Sequence, residues 1–492
     1  MNHLHDPVEG LSHYSASEGV LPSDRVGYAT FVCVCAALGG VLFGFDIAVI
    51  SGTVPAVKQQ FALDHWLEGF FVTSALIGCM CGSAFAGPLS DVVGRKKVLI
   101  VSSILFLATG VGCALASNVV SLLIFRFVGG VGIGVASMIC PLYIAEISPT
   151  AIRGRMVTLF QLAIATGICA SLVSNASLEW FSHHGTLGAP GGVYQWLFID
   201  QVWRAMFLMA SLPAVLFGIA TLCVPESPRW LAKGGQEDRA REILVRVSGK
   251  QAGEKSLEEI RQALTAETGR LAHLFHPRIR KALGIAVFLA VFSELSGITV
   301  VLYYGPALLN QAGVRISDAL GGFVIIGIIK PLFTLVAVWL MDRAGRRPLL
   351  FWGTMGCSVA LTGLGALFAF HRTSGMLLVA LICLFCAFFA FSIGPVKWVV
   401  ISEIFPTKIR GRAVAIATVA VWLSDAVTNY LFPWARETWG PAICFFGFAL
   451  VLVPQVFFSR WVLPETKGRT LEEIECSSPS DRKASSAFTH WR

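Results

Sequence analysis

Two ionisable residues stand inside long apolar stretches of the chain, where they could carry a proton or contact a polar solute. Asp46 lies in GGVLFGFDIAVISG and Arg126 lies in IFRFVGGVGIG. An ionisable side chain at bilayer depth is energetically costly, so each is a candidate functional residue. If the two face one another, they form either a site that loads and releases a proton or a static pair that fixes helix packing.

A second set of acids and bases occurs in two copies. Asp91 and Asp342 each begin a D-x-x-G-R-[RK] turn, and Glu146 and Glu403 each precede a proline and an arginine. Glycine permits the tight turn, and opposite charges can bond helix ends together. We expect a network that latches two halves in the outward-open state and breaks on inward opening, unless the charges only anchor loops at lipid headgroups. Its expected members are Asp91, Arg95, Glu146, Arg153, Glu226, Asp342, Arg346, Glu403, Arg410 and Glu465.

The elements that must position these residues are apolar stretches long enough to cross a bilayer. Of 492 residues, 55% are hydrophobic and 14% charged, and the mean hydropathy is +0.70, whereas soluble domains carry about 25% charged residues. Lipid offers the backbone no hydrogen bonds, so such stretches must be helices. Twelve spans are predicted, near 28–50, 68–90, 97–116, 119–141, 157–178, 204–224, 282–309, 318–340, 348–370, 375–401, 412–432 and 441–463.

The paired motifs indicate a duplicated architecture of two six-span halves. The predicted divisions are a cytoplasmic N-terminal segment (1–26), an N-terminal bundle (27–224), a cytoplasmic helical insert (225–281), a C-terminal bundle (282–463) and a cytoplasmic tail (464–492). In the insert, Leu257, Ile260, Leu264 and Leu271 recur at helical spacing, which favours amphipathic helices over a disordered linker. Repeat-built transporters bind their solute near midplane between the repeats.

The distribution of charge and cysteine excludes several classes of function. Lys and Arg concentrate in alternate loops, which predicts that both termini are cytoplasmic and that the net charge of +8 reflects topology, not nucleic-acid binding. The thirteen cysteines lie almost all in apolar spans and are interpreted as inert thiols, including Cys383 and Cys386. No cleaved signal peptide, metal site, cofactor or enzymatic grouping is expected. Glycine-rich 129–134 lies inside a span and favours close helix packing over a nucleotide loop.

Several strings together resemble the signature of one family. GRKK, PLYIAEISPTAIRGR, PESPRW, GRRP, SEIFPTKIRGR and PETKGRTLEE are similar to motifs of the sugar porter family of the major facilitator superfamily, which includes bacterial sugar–proton symporters and facilitative glucose transporters. The resemblance implies an all-helical major facilitator fold and a monosaccharide-type solute. It also implies that Asp46 is the protonation site and that Arg126 tunes it.

The resemblance further implies a solute site, from which this chain departs. Amides and indoles such as Gln161 and Trp398 suit sugars because they bond hydroxyls and stack on ring faces. However, the family's QQxxGxN reads SELSGIT here, and charges occupy further positions of the neutral lining. The expected solute-binding residues are Gln161, Glu294, Thr299, Tyr303, Lys330, Lys397, Trp398, Trp422 and Asp425.

Four of these residues, Glu294, Lys330, Lys397 and Asp425, are charged, and two hypotheses account for them. Either the solute carries its own charge, as in a sugar acid or an amino sugar, or the two acids pair with the two bases around an uncharged sugar or polyol.

The expected function is secondary active transport by alternating access in a plasma or bacterial inner membrane. The expected partners are a sugar-like solute, a proton and membrane lipid. A uniporter that only equilibrates its solute is the alternative within transport. A transporter-like nutrient sensor is an alternative from another class.

Overall fold

The first half of the molecule contains six apolar helices. A computed structural model describes residues 23–149, 152–184, 192–265, 277–370, 375–405 and 410–463, and every element in these ranges is helical. The tail 464–492, most of the predicted N-terminal segment and Leu271 lie outside the described residues. Spans one to six are Ser23–Phe61, His65–Val93, Arg95–Leu115, Val119–Ile147, Arg153–His184 and Val202–Cys223.

Side-chain caps explain where two of these helices begin. Asp64 precedes span two, and its Oδ1 accepts a hydrogen bond from the backbone nitrogen of Leu67 at 2.7 Å. Asn118 precedes span four and accepts from the nitrogen of Ser121 at 2.8 Å. Each cap satisfies a backbone donor that the first helical turn leaves without a partner.

The second half contains helices that are interrupted where polar residues cluster. Span seven comprises Pro277–Glu294 and Ile298–Gln311, and spans eight and nine are Ile316–Ala344 and Arg346–Ala369. Span ten comprises Gly375–Phe388, a π-helical turn at Phe389–Ile393 and Gly394–Glu403. The remaining helix is Arg410–Trp461.

That remaining helix contains both of the last two predicted spans. Its 52 residues correspond to about 78 Å at the usual rise, far more than one bilayer crossing requires. Gly440, with φ 80° and ψ 159°, breaks the helical backbone within it. Spans eleven and twelve therefore lie before and after Gly440, and the eleven apolar helical segments of the described ranges account for twelve spans.

Close packing within and between the halves follows from small residues. In the first half, span two packs on span four and span one on span five. A Cβ atom at Gly130 would lie 1.9 Å from the carbonyl oxygen of Ala75, and one at Gly134 would lie 2.2 Å from that of Cys79. The glycine-rich stretch of span four is thus a packing surface. Between the halves, span two contacts span eleven, span five contacts span eight and span one contacts span seven.

Three short helices follow span six: Pro228–Lys233, Glu237–Ser248 and Lys250–Thr265. We call the end of the molecule where they lie the insert end. Leu231, Leu244 and Leu257 bury their side chains in a small shared core. On the exposed side, a hydrogen bond from Arg261 lowers the pKa of the Glu237 carboxyl.

Candidate functional site

The break in span seven brings two of the predicted site residues to facing helix ends. Glu294 is the last residue of the first segment, and Thr299 lies in the first turn of the second. Gly297 between them has φ 77°, a left-handed conformation that glycine adopts without steric cost. A Cβ atom at this position would also lie 2.7 Å from the Phe448 ring of span twelve. The glycine thus permits a discontinuous helix of the kind that lines transporter sites.

Glu294 and Lys397 form a buried ion pair. The Lys397 ammonium donates to Oε1 of Glu294, and both residues are about 5% exposed. Ser293 also donates to that oxygen, at 2.9 Å. Lys397 follows the π-helical turn of span ten, a distortion often found at functional sites. One acid–base pair that the pairing hypothesis requires is therefore present.

Asp425 is surrounded by neutral donors. The Thr299 hydroxyl donates to its Oδ1, and the Asn429 amide donates to the same oxygen at 2.8 Å. Asp425 is 2% exposed, and no ion pair reaches it within the described residues. Asn429 was not predicted as a site residue. Its position one helical turn after Asp425 is the signal that could have identified it.

Lys330 differs from the other three charged residues. Its side chain is partly exposed, and its ammonium makes neither a hydrogen bond nor an ion pair with any residue of the described ranges. It lies within electrostatic reach of Glu294 and Lys397. The second pair that the pairing hypothesis requires, between Lys330 and Asp425, is not formed.

In the first half, Asp46 and Arg126 face one another as a buried pair. One Arg126 nitrogen, Nη1, donates to both carboxylate oxygens, at 2.9 and 3.0 Å. The guanidinium carbon lies 5.7 Å from the centre of the Phe207 ring. Tyr303 of the other half lies within electrostatic reach of both Asp46 and Asp425. A buried tyrosine of span seven thus lies close to carboxyls of both halves.

Polar groups without partners remain close to this interface. Trp422 is 4% exposed and packs edge-on against Phe43 of the first half at 5.5 Å, which places it between the halves. Its indole Nε1 has no hydrogen-bond acceptor within the described residues. Gln161 and Trp398 are partly exposed, and the Lys397 ammonium lies 5.2 Å from the centre of the Trp398 ring. Such groups can bond hydroxyls or stack on a sugar ring.

Comparison with known proteins then identifies the family. The family described as "Sugar (and other) transporter" matches residues 32–477. An arabinose–proton symporter of Bacillus subtilis is 36% identical over 457 residues, which are 93% of this chain and 96% of that protein. This chain belongs to the sugar transporter family. It is a transporter and not an enzyme.

Solved structures show which fold the transporter has. The xylose transporter XylE from Escherichia coli, in a partially occluded inward-open conformation, superposes with a TM-score of 0.78 at 34% identity over 90% of this chain and 100% of that one. The D-xylose–proton symporter of Escherichia coli strain K12 is 35% identical over 94% of this chain and 98% of that protein. The predicted major facilitator fold is confirmed, as is the prediction of a multi-pass membrane protein.

At the insert end of the transporter, predicted gate residues of the first half form one network. The Arg95 guanidinium donates to both oxygens of Glu146 at 3.1 Å and pairs with Asp91 at 2.9 Å. The Glu226 carboxylate accepts from the backbone nitrogens of Arg95 and Lys96, at the start of span three, where a negative charge is favourable. Gly94 has φ 102°, and a Cβ atom there would lie 2.4 Å from Glu226.

In the second half, Arg346 pairs with Glu403 at 2.9 Å. Arg153 is exposed and makes no ion pair with Glu146 within the described ranges. The side chains of Asp342 and Arg410, and all of Glu465, lie outside the described residues. The gate ion pairs that the structure describes therefore each lie within one half, and none of these pairs joins the two halves.

The opposite end carries an ion-pair network that was not predicted. Glu68 of span two is 1% exposed and lies 2.6 Å from the Lys58 ammonium and 3.4 Å from an Arg436 nitrogen. Lys58 and His65 also reach Glu437 of span eleven, at 3.3 and 3.0 Å. Glu68, an acid in the first turn of span two, is the sequence signal that could have indicated this network. Its partner Arg436 in the other half is too remote in sequence to be identified without the structure.

Proposed function

We propose that this transporter carries a monosaccharide-type solute together with a proton, by alternating access through the interface between its halves. The observation that carries the proposal is that Tyr303, a buried residue of span seven, lies within electrostatic reach of both the buried Asp46–Arg126 pair and Asp425. A solute that contacts span seven can thereby influence whether Asp46 holds a proton. Two similar proteins, an arabinose–proton symporter and a D-xylose–proton symporter, support the same proposal.

The side chains proposed to bind the solute are those whose polar groups make no hydrogen bond within the described residues. We propose that Gln161, Trp398 and Trp422 contact the sugar, together with Tyr303. The interrupted span seven contributes Thr299, and the ion pair of Glu294 with Lys397 holds the segment ends in place. The charges at the insert end act as the latch, which reforms across the halves when that end closes.

We further propose the orientation and division of the chain. The alternation of Lys- and Arg-rich loops supports a cytoplasmic location for the insert end and both termini, in a plasma or bacterial inner membrane. On this basis 27–224 and 282–463 are the moving halves, and 225–281 is the cytoplasmic insert that connects them.

Substitution of Asp46 by Asn tests the coupling. In proteoliposomes with an acidic exterior, the wild type accumulates a labelled monosaccharide, tested with neutral and acidic sugars. Asp46→Asn abolishes accumulation but retains exchange of labelled for unlabelled solute, because the amide cannot carry the proton. Asp318→Asn, at an exposed pair with Arg315, leaves accumulation unchanged. Undiminished uphill uptake by Asp46→Asn would contradict the proposal, and a wild type that only equilibrates solute would indicate uniport.

A further inference from the structure

Four of the six charged residues predicted for the proton-coupling and solute sites are compensated by ion pairs within the protein. Asp46 pairs with Arg126 in the first half, and Glu294 pairs with Lys397 in the second. All four residues are at least 95% buried. A buried ion pair is costly to break because it leaves an uncompensated charge, so neither lysine nor arginine of these pairs is available to a solute.

Two charged residues remain, and they differ in their surroundings. Asp425 accepts hydrogen bonds from Thr299 and Asn429 and is closed off from solvent. Lys330 is partly exposed, and its ammonium has no hydrogen-bonding partner within the described ranges. An ammonium offers three donors. At bilayer depth, an ammonium with none of them engaged requires an anion or water.

The position of Lys330 directs its side chain to the interface between the halves. Gly327 lies three residues earlier in span eight, and a Cβ atom there would lie 3.0 Å from Cys169 Cα and 3.4 Å from Leu172, both in span five. Residues three apart share one face of a helix, so Lys330 lies on the face that meets span five. Gln161 lies on the same span five. Lys330 therefore lies on the side of span eight that faces the interface proposed for the solute.

The number and type of cations indicate the kind of anion. One lysine, with Lys397 already engaged by Glu294, can neutralise a single negative charge. A dianionic phosphate is usually held by several cations or by the planar fork of arginine. The only arginine in this group, Arg126, is engaged by Asp46. The arrangement therefore suits a monovalent carboxylate better than a phosphate.

We infer that Lys330 binds the carboxylate of the transported solute, and that the substrate class is the monosaccharide acids, such as hexuronates and aldonates. The inference rests on the proposed function, because it assigns the substrate of the same site. The hydroxyls of such a solute are left to the indole of Trp422 and the amide of Gln161, which have no other partners within the described residues.

Binding to the purified full-length transporter tests the inference directly. Affinities are measured for D-glucuronate, D-gluconate, D-glucose, D-xylose, D-glucosamine and glucose 6-phosphate. An acid is expected to bind about 10- to 100-fold more tightly than the neutral hexose, as a hydrogen bond to a charged group provides. Preference for a neutral sugar, for the amino sugar or for the phosphate overturns the inference.

Two variants at position 330 then test whether Lys330 causes the preference for the acid over the neutral sugar. Lys330→Gln brings the ratio of glucuronate to glucose affinity close to one, whereas Lys330→Arg retains the preference for the acid. Lys255→Gln removes a positive charge from an exposed site in the insert and leaves the ratio unchanged. Because the ratio is taken within one preparation, a smaller folded fraction does not alter it. An unchanged ratio in Lys330→Gln overturns the inference.

Uptake measurements separate this inference from the proposed function. If glucuronate binds in a Lys330-dependent manner but no solute crosses proteoliposome membranes under a pH gradient, the transport proposal fails and the assignment of Lys330 stands. If D-xylose accumulates and the acids neither bind nor compete, proton-coupled transport stands and the assignment of Lys330 fails.

Discussion

Individual side chains at the interface of the halves combine burial with unused hydrogen-bonding capacity. Trp422 is the clearest example, because an indole N–H that is buried without an acceptor is costly unless something else bonds to it. Its ring is held against Phe43 of the first half. A solute hydroxyl is a suitable acceptor at this position, and the ring supplies an apolar face beside it.

Replacement of Trp422 by Phe isolates the role of the indole N–H. The variant keeps an aromatic ring but loses the donor, and a single hydrogen bond contributes about 0.5–1.5 kcal/mol. We therefore expect the solute dissociation constant to rise about two- to tenfold, measured by titration calorimetry with the preferred solute.

The matched control is Trp180→Phe. Trp180 is 60% exposed and stacks on His184 near the end of span five. This variant should bind solute as the wild type does. Unchanged affinity in Trp422→Phe would remove Trp422 from the solute site.

At the scale of helices, spans two and eleven are joined by a buried ion-pair network that was not predicted from the sequence. Glu68 forms ion pairs with Lys58 of span one and with Arg436 of span eleven. Beside these pairs, the rings of Trp66 and Trp434 stack with their centres 6.0 Å apart. Arg436 is 6% exposed. The network therefore joins the two halves at the end opposite the insert, and its loss should weaken closure at that end.

A double-mutant cycle measures this coupling. Glu68→Gln leaves the buried Arg436 guanidinium without its carboxylate, and breaking a buried pair in this way costs roughly 3–5 kcal/mol. We expect each of Glu68→Gln and Arg436→Gln to lower the melting temperature by several degrees. The melting temperature of the double variant should fall by less than the sum of the decreases in the two single variants. Scanning fluorimetry measures these melting temperatures.

Glu258→Gln serves as the comparison for that cycle. Glu258 pairs with Arg261 at 3.4 Å on the exposed side of the insert, and surface pairs contribute about 0–1 kcal/mol. Its melting temperature should match that of the wild type. Strict additivity of Glu68→Gln and Arg436→Gln would show that the two residues act independently.

For the whole molecule, the approach of the halves at this end depends on a glycine. A Cβ atom at Gly69 of span two would lie 2.5 Å from the carbonyl oxygen of Tyr430 in span eleven. Backbone atoms cannot move aside as a flexible side chain can, so a large residue at this position must separate the two spans. Alternating access requires that each end close in turn.

Gly69→Trp should therefore hold this end open. Solute binding should be retained while exchange across proteoliposome membranes is lost, because a transporter that cannot close one end cannot present its site to the other. Gly87→Trp is the control in the same helix, since nothing lies within 4 Å of a Cβ atom at Gly87. Normal exchange by Gly69→Trp would show that closure at this end does not need the close contact.

The membrane class, the number of spans and the duplication of the halves could all be predicted from the amino-acid sequence. Each depends on composition within about 20 consecutive residues or on motifs that are contiguous in the chain. The exact ends of the spans were predicted less accurately from the sequence. Span one continues to Phe61, well beyond the predicted end near residue 50, and spans eleven and twelve are separated only by the backbone of Gly440.

The pairing of charges was decided only by the tertiary structure. Asp46 and Arg126 are 80 residues apart, Glu294 and Lys397 are 103 apart, and Glu68 and Arg436 are 368 apart. The cost of burying each charge can be read from the local sequence, but its compensation depends on which helix faces make contact. That is why Lys330 and Lys397 are equivalent candidates in the sequence, whereas packing pairs Lys397 with Glu294 and leaves the Lys330 ammonium without a hydrogen-bonding partner in the described ranges.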